Sequence, residues 1–349
     1  MRRIGSLFLL VVIMTGCSND PFQDHVFSNE LSYPFITTLV HEDGKAMLTV
    51  FEEDKGINEA FSFEIGDLEE RNYSATYVDQ KRNVTAINEM GTVNYDVFTT
   101  DNKAVNYIGS LKEPVDKIAQ WKDHIYIVTY KNNKDGTREA LLKKYNNDDL
   151  KAAVEEWPIN GKVEDLKIDP ETGKVHFILR SDQTELMTLV NDELKNTKIF
   201  DEPVSSRLMI HEGEIFMSKY KTVHEENKSS SNNIEQAYNE VVQVKDHGAE
   251  KLVTTTESPT SMIISGQFLY VITGDPNQAF LEIFDRNSAK LIQKHELEGG
   301  MVNGLSESNG EVYIYTNNVV YQVLDDHRLE IAYKHKEYKS LLDNELNGG

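Results

Sequence analysis

The sequence predicts an all-β fold, a seven-bladed β-propeller of four-stranded blades, which follows an N-terminal export signal. Three observations lead to this prediction. A strand–turn–strand pattern occurs seven times along the 349 residues. Further strand-like runs separate one copy from the next, and no long helical period interrupts them. The first 17 residues have a charge and hydropathy pattern unlike that of the rest of the chain.

The repeat unit is an apolar strand, a short polar turn that often holds glycine, and a second strand rich in aromatic and β-branched residues. The turns fall at residues 44, 82, 123, 173, 213, 266 and 310. Their mean spacing of about 44 residues lies in the range of four-stranded propeller blades. In the sixth and seventh units, the third and fourth strands are strand-like runs at 280–285, 290–295, 319–324 and 329–333.

A closed ring suits such units because one four-stranded sheet cannot cover both of its own faces. Blades stacked around a ring cover one another, and closure leaves no exposed end. The alternative is a β-sandwich pair or an irregular all-β chain, which seven matching units disfavour. We expect apolar innermost strands and charged outermost strands, with Lys290, Lys294 and His295 at an outer edge.

Two turns share the order aspartate, two residues, serine or threonine, one residue, lysine; they lie within 168–175 and 283–292. These segments resemble the blade turn of the YVTN and quinoprotein-like propeller families, and the resemblance implies a propeller fold. The tryptophan-docking signature of quinoprotein repeats is missing, because Trp121 and Trp157 are the only tryptophans. No regular Trp-Asp dipeptide occurs.

The N-terminus has the pattern of an export signal. Arg2 and Arg3 form a basic start, and an apolar stretch follows over 4–14. This stretch is too short to cross a bilayer as a mature helix, which takes roughly 20 apolar residues.

The apolar stretch ends in Met14-Thr15-Gly16-Cys17, which resembles the lipobox of bacterial lipoproteins. The resemblance implies cleavage between Gly16 and Cys17 and lipidation of Cys17, although Met14 departs from the commoner leucine. Cys17 is the only cysteine, so no disulfide can form within one chain. The alternative is an ordinary cleaved signal peptide with a chance cysteine.

These patterns predict four segments: a lipoprotein signal peptide over 1–16, a lipidated cysteine and tether over 17–33, the propeller over 34–336 and a tail over 337–349. A diacylglyceryl cysteine carries two acyl chains, which make membrane attachment stable. We therefore expect the protein to be lipid-anchored at the extracytoplasmic face of the cell membrane.

Composition and motifs exclude several kinds of function. The chain has 36 Lys and Arg against 58 Asp and Glu, a net charge of −22, which repels nucleic-acid phosphates, so we expect no nucleic-acid partner. No hydrolase nucleophile elbow, nucleotide-binding glycine loop or cysteine pair occurs in the sequence. We therefore predict no cofactor, no metal and no catalytic residue.

Two incomplete metal motifs support that expectation. His211-Glu212 and His224-Glu225 begin the zinc-protease pattern but lack the second histidine. The densest group of possible metal ligands is Asp325-Asp326-His327, in a predicted turn where aspartate is common because it forms turns. We interpret this group as a turn.

Two repeat units contain enlarged loops. The loop of the fifth unit covers 222–236, and loops of this length are uncommon unless they are functional or disordered. If it contacts a partner, the candidate residues are His224, Glu225, Glu226 and Lys228. The third unit has a hairpin loop at 131–138 with an Asp-Gly turn signal, which we interpret as a solvated turn.

The fold and the export signal together predict a scaffold that binds a protein or a cell-wall ligand at the cell envelope, without catalysis. The alternative is an extracytoplasmic propeller enzyme, such as a lyase, a glycan hydrolase or a quinone-dependent dehydrogenase, with its site in the central funnel. Such an enzyme would need two or more carboxylates or histidines that converge from several blades. A third interpretation is a sensory lipoprotein in sporulation, germination or envelope-stress signalling.

Overall fold

The computed structural model describes fifteen stretches of the chain, namely residues 26–27, 34–42, 45–53, 57–67, 73–76, 84–89, 92–100, 105–132, 138–220, 239–245, 248–275, 278–298, 302–308, 310–316 and 319–334. Within these stretches the regular structure is entirely β-strand. None of the described residues belongs to a helix with the length and hydropathy needed to cross a bilayer.

The strands of the first half of the chain are β1 (Val26–Phe27), β2 (Pro34–Glu42), β3 (Lys45–Glu53), β4 (Ile57–Asp67), β5 (Tyr73–Thr76), β6 (Val84–Glu89), β7 (Tyr95–Thr100), β8 (Val105–Leu111), β9 (Lys117–Trp121), β10 (His124–Asn132), β11 (Arg138–Asn146), β12 (Glu155–Ile159), β13 (Lys162–Ile168) and β14 (Val175–Arg180).

The second half continues with β15 (Thr184–Val190), β16 (Glu193–Phe200), β17 (Leu208–His211), β18 (Glu214–Lys219), β19 (Glu240–Lys245), β20 (Gly248–Thr254), β21 (Pro259–Ser265), β22 (Phe268–Asp275), β23 (Gln278–Asp285), β24 (Leu291–Leu297), β25 (Val302–Ser308), β26 (Glu311–Thr316), β27 (Val319–Val323) and β28 (Leu329–Lys334).

Antiparallel pairing divides these strands into seven sheets arranged as a β-propeller. Six sheets are blades of at least four strands: blade A (β5–β8), blade B (β9–β12), blade C (β13–β16), blade D (β17–β20), blade E (β21–β24) and blade F (β25–β28). The seventh is a three-stranded sheet, β2–β4. The all-β fold, the propeller arrangement and the four-stranded blades are therefore confirmed.

The predicted number of seven four-stranded blades is wrong, because only six sheets reach that size. Among the residues that the structure describes, the first repeat unit supplies the hairpin β2–β3 and a third strand, β4, without a fourth strand. The reason lies in chain length. Only five positions, 68–72, separate β4 from β5, which already belongs to blade A, and a strand alone is usually five or six residues long.

Contacts between neighbouring sheets follow the order of the chain and close the ring. Strand β6 contacts β9, β9 contacts β13, β13 contacts β17, β17 contacts β21, and β21 contacts β25. The three-stranded sheet completes the circle, since β2 contacts β5 of blade A and β4 contacts β28 of blade F. All seven predicted hairpins are present as the first two strands of the seven sheets.

The hydrophobic core lies between the blades. One cluster of buried side chains joins three blades, with Val97 from blade A, Ile127 from blade B and Phe177 from blade C. A second joins Phe216 of blade D to Val271 of blade E, and a third joins blade E to blade F. Each blade is thus stabilised mainly by the apolar surface that it buries against its neighbours.

The outermost strand of blade E has the predicted charge, but the innermost strands are not uniformly apolar. Lys294 and His295 lie on β24, the outermost strand of blade E, and Lys290 precedes that strand. In contrast, Glu164 and Asp165 are buried on β13, the innermost strand of blade C.

The two turns that carry the family resemblance have the same local structure but different places in their blades. The amide of Asp169 donates to the carbonyl of Lys174, and the amide of Asp285 donates to the carbonyl of Lys290. The first turn joins the first two strands of blade C, whereas the second joins the last two strands of blade E. They are therefore not equivalent positions of one repeat unit.

A glycine in the blade C turn packs against the indole ring of a tryptophan from blade B. Gly173 has φ = 72°, in the left-handed region, and a side chain there would overlap the indole ring of Trp121. Both the backbone conformation and the close approach of the indole therefore require glycine.

We expect Gly173→Ala to lower the free energy of unfolding more than Gly213→Ala does. Gly213 has φ = 75° in the blade D turn, but a Cβ there would meet no atom within 4 Å. The left-handed conformation alone costs an alanine roughly 1–2 kcal/mol, and overlap in a packed site adds about 1–3 kcal/mol. Urea unfolding of both variants would test this; equal losses would show that the Trp121 contact contributes nothing.

Candidate functional site

The residues with the most potential chemistry lie where the innermost strands of blades B, C and D begin. This is the face of the ring to which the connections between blades belong, and we call it the inter-blade face. It brings together the side chains of Asp116, Glu164, Asp165, Arg180 and Arg207, which we call the inter-blade cluster.

A β-bulge places Glu164 in this cluster. The register between β13 and β14 shifts between Val163 and Asp165, so Glu164 is the extra residue. Its carboxylate is 5% exposed and forms ion pairs with Arg180 Nε at 2.8 Å and Lys162 Nζ at 3.1 Å. Bulges commonly turn a side chain away from the regular alternation of a strand.

Equivalent bulges occur in three other sheets. The register of the innermost strand shifts between Pro34 and Ile36 in β2, between Pro259 and Ser261 in β21, and between Val302 and Gly304 in β25. A break in pairing at the start of the innermost strand is therefore a repeated feature of this propeller. Only in blade C does it hold an acidic residue.

Asp165 joins blade C to blade D through backbone amides. Its carboxylate accepts hydrogen bonds from Leu166 N at 2.9 Å and from Leu208 N, at the start of β17, at 2.8 Å. Arg207 strengthens the same junction, because its Nη1 donates to the Glu164 carbonyl oxygen at 3.0 Å. The arrangement satisfies buried polar groups of both blades.

The charge of Arg207 is balanced by acidic neighbours. Burial by itself lowers the pKa of the Arg207 guanidinium, but electrostatic interactions with Tyr220, Asp165, Glu164 and Asp116 raise that pKa above its usual value. Burial also raises the pKa of the Tyr220 phenol, against the opposing effect of Arg207. The guanidinium therefore stays charged, and the phenol stays neutral, at physiological pH.

A propeller enzyme would need carboxylates or histidines that converge from several blades. The cluster meets part of this requirement, since carboxylates from more than one blade lie near one another. However, Glu164 is held by two cations, and both oxygens of Asp165 accept backbone amides. Groups held in this way stabilise a junction between blades. No set of three or more His, Cys, Asp or Glu side chains within the described stretches is placed to hold a metal ion.

A second buried carboxylate, that of Glu282 on β23, fixes the connection between blades D and E. The residue is fully buried and accepts hydrogen bonds from Thr256 N at 3.0 Å, from Thr273 Oγ1 at 3.0 Å and from the Thr256 hydroxyl. Lys294 Nζ lies 3.7 Å away. We interpret this group as structural.

Among the described histidines, the one with a strongly shifted pKa is also interior. Burial lowers the pKa of His176 to about 4, against the opposing charge of Asp169. Its Nδ1 lies 3.0 Å from Thr188 Oγ1. His176 is therefore a neutral core residue at physiological pH.

The sequence-predicted site residues have different outcomes. Gly16, Cys17 and the loop residues His224, Glu225, Glu226 and Lys228 lie outside the described residues, so their roles stay predictions.

The group Asp325-Asp326-His327 forms the predicted turn, between β27 and β28. Asp326 pairs with Arg328 Nε at 2.5 Å. The His327 ring packs edge-on against Phe268 of blade E, with ring centroids 4.4 Å apart. These residues therefore serve the turn and its contact with blade E.

The sequence analysis missed the inter-blade cluster and Glu282. Their signal in the sequence is an acidic residue within an apolar strand, as in Val163-Glu164-Asp165-Leu166 and Leu281-Glu282-Ile283. Such residues need partners when they are buried. The signal does not say which blade supplies those partners.

Comparison with known proteins supports the fold alone. No protein-family model and no curated sequence matches this chain. A functionally unknown protein from Desulfotomaculum acetoxidans is similar in structure, with a TM-score of 0.54 and 11% identity over 85% of this chain and 95% of that one. An acylaminoacyl peptidase from Pyrococcus horikoshii gives a TM-score of 0.52 and 9% identity, over 90% of this chain and 54% of the peptidase.

We expect Asp165→Ala to lower the free energy of unfolding by about 2–4 kcal/mol, since it leaves two buried backbone amides without acceptors. The matched control is Asp182→Ala, which removes an exposed aspartate from the β14–β15 turn of the same blade. Chemical denaturation would measure both. Losses of equal size would contradict the role of Asp165 in joining blades C and D.

Proposed function

We propose that this chain is a membrane-anchored, extracytoplasmic β-propeller lipoprotein that acts as a scaffold for a protein or cell-wall ligand at the cell envelope. The observation that carries the proposal is the position of Tyr220. The backbone of Tyr220 pairs with that of Ser205 through two hydrogen bonds of 3.1 Å. Ser205 lies two residues before Arg207 in the chain. Tyr220 is the last described residue before the enlarged loop of the fifth unit.

This position links the predicted partner loop to the inter-blade cluster. The loop leaves the blade at the inter-blade face, beside the charged groups of blades C and D. A loop that starts from a rigid junction loses less freedom when it binds a ligand, and this favours affinity. A propeller that holds variable loops on fixed blades therefore fits a binding role.

The proposed localisation of the protein is based on its N-terminal sequence pattern. A basic start, a short apolar stretch and Thr15-Gly16-Cys17 support export followed by lipidation of Cys17. The turns at Asp169 and Asp285 support a relationship with the YVTN and quinoprotein-like propellers, whose resemblance they carry.

We expect in-cell cross-linking of the tagged, full-length protein to capture a specific partner, and deletion of 222–236 to abolish the capture. The matched control is a chain in which the loop at 133–137 is shortened, because that loop also joins the second and third strands of its blade. Quantitative mass spectrometry would compare the three chains.

Capture by the wild type and by the control, but not by the deletion, would support the scaffold. No partner above background in any of the three would contradict it. Substrate screens on the purified protein would then address the alternative of a propeller enzyme.

We expect Cys17→Ala to move the protein from the membrane fraction to the soluble or secreted fraction, because the acyl chains provide the anchor. The control is Met14→Leu, which brings the tetrapeptide closer to the lipobox and leaves the anchor in place. Cell fractionation and the mass of the N-terminal peptide would test this. Retention of the Cys17→Ala protein in the membrane would show that another feature anchors it.

A further inference from the structure

The N-terminal strand attaches to one particular blade. Strand β1 pairs antiparallel with β8, the outermost strand of blade A, with Val26 opposite Asn106 and Phe27 opposite Val105. Blade A is therefore the one blade with a fifth strand among the described sheets. We call the outer edge formed by β8 and β1 the blade A rim.

We propose that the blade A rim is the surface of the propeller that faces the lipid bilayer. The inference rests on the lipidation of Cys17 proposed above. It adds an orientation, which neither the lipidation nor the fold specifies. Two independent observations support it: the length of the tether and the distribution of charge among the outermost strands.

The tether is short. Eight residues separate Cys17 from Val26, and the nine Cα–Cα steps between these two residues span at most about 32 Å when the chain is fully extended. Four strands at their usual spacing give each blade a radial depth of about 14 Å. The far side of the ring lies two blade depths and the central opening away from β8, beyond the reach of the tether, so the ring cannot rest on the membrane by its far side.

Strand β8 differs from the other outermost strands in that it has no charged residues. The sequence of β8, Val105–Leu111, contains no charged residue. Each of the other outermost strands carries at least one acidic residue; these residues are Glu59, Glu64 and Asp67 in β4, Glu155 and Glu156 in β12, Glu193 in β16, Glu250 in β20, Glu296 in β24 and Glu330 in β28. Among the outermost strands that the structure describes, β8 is thus the one without a carboxylate of its own.

This distribution suits a lipid surface. Bacterial and other anionic membranes repel carboxylates, and the chain as a whole has a charge of −22. The rim offers polar uncharged groups: Tyr107 Oη and Ser110 Oγ lie 2.8 Å apart, and Ser110 donates to Asp96 of β7 at 2.6 Å. The residue after β8 is the exposed cation Lys112, which favours contact with anionic lipid.

The orientation has a consequence for binding. Blades D and E lie across the ring from blade A, so the enlarged loop of the fifth unit belongs to the part of the ring that is distant from the bilayer. A partner bound at that loop would therefore lie on the side of the ring that faces away from the bilayer.

The test uses one fluorescent label on the full-length, lipidated protein. Lipidation blocks the thiol of Cys17, so an introduced cysteine is the single reactive thiol. Ser110→Cys places the label on β8, and Gln293→Cys places it on β24 of blade E; both positions are exposed. The protein is bound to phosphatidylglycerol–phosphatidylcholine vesicles whose headgroups carry a nitroxide quencher.

We expect several-fold stronger quenching at residue 110 than at residue 293. In a second Ser110→Cys protein, a flexible segment of about 20 Gly and Ser residues inserted after Asp20 removes the length limit and should lower the quenching at residue 110. Equal quenching at the two positions, or stronger quenching at 293, would overturn the orientation. Failure of the protein to bind vesicles would instead contradict the lipidation, which the mass of the N-terminal peptide reports separately.

Discussion

The fold depends on the burial of blade faces against neighbouring blades. No blade here could cover its own faces, and the clusters of buried side chains run from one blade into the next. Trp121 shows how close this packing is, because its ring fills the space that any side chain at Gly173 would need. Closure of the ring by the three-stranded sheet follows from the same need, since blades A and F would otherwise leave a face uncovered.

Buried carboxylates set the geometry of the junctions between blades. Apolar contacts hold blades together without fixing how they align, because the hydrophobic effect is not directional. Asp165 and Glu282 supply direction, since each accepts hydrogen bonds from the chain that enters the next blade. A buried charge without partners is costly, so these junctions form only when the donors are in place. The inter-blade face gains its rigidity in this way.

The repeat pattern predicted the fold well but could not predict its exceptions. The seven hairpins were predictable because strand alternation and turn residues are local signals, as in the strands on either side of Lys122-Asp123. The missing fourth strand of the first unit depends on how few residues separate β4 from β5, and strand-like composition hides this shortage. The contact between Asp165 and Leu208 joins residues that are 43 positions apart, and periodicity alone does not reveal a partner at that distance.

The position of β1 connects the fold to the proposed membrane localisation of the protein. A propeller has nearly equivalent rims, so a membrane anchor gains a defined orientation only if its tether is short or is held against one blade. Here both conditions hold: eight residues follow Cys17, and the next two pair with β8. The same pairing protects part of the edge of β8, an uncharged strand whose free edge would otherwise invite aggregation. Strand β1 thus covers part of an edge that has no charged residue. If Cys17 is lipidated, the same strand orients the ring so that blade D, with its enlarged loop, lies away from the bilayer.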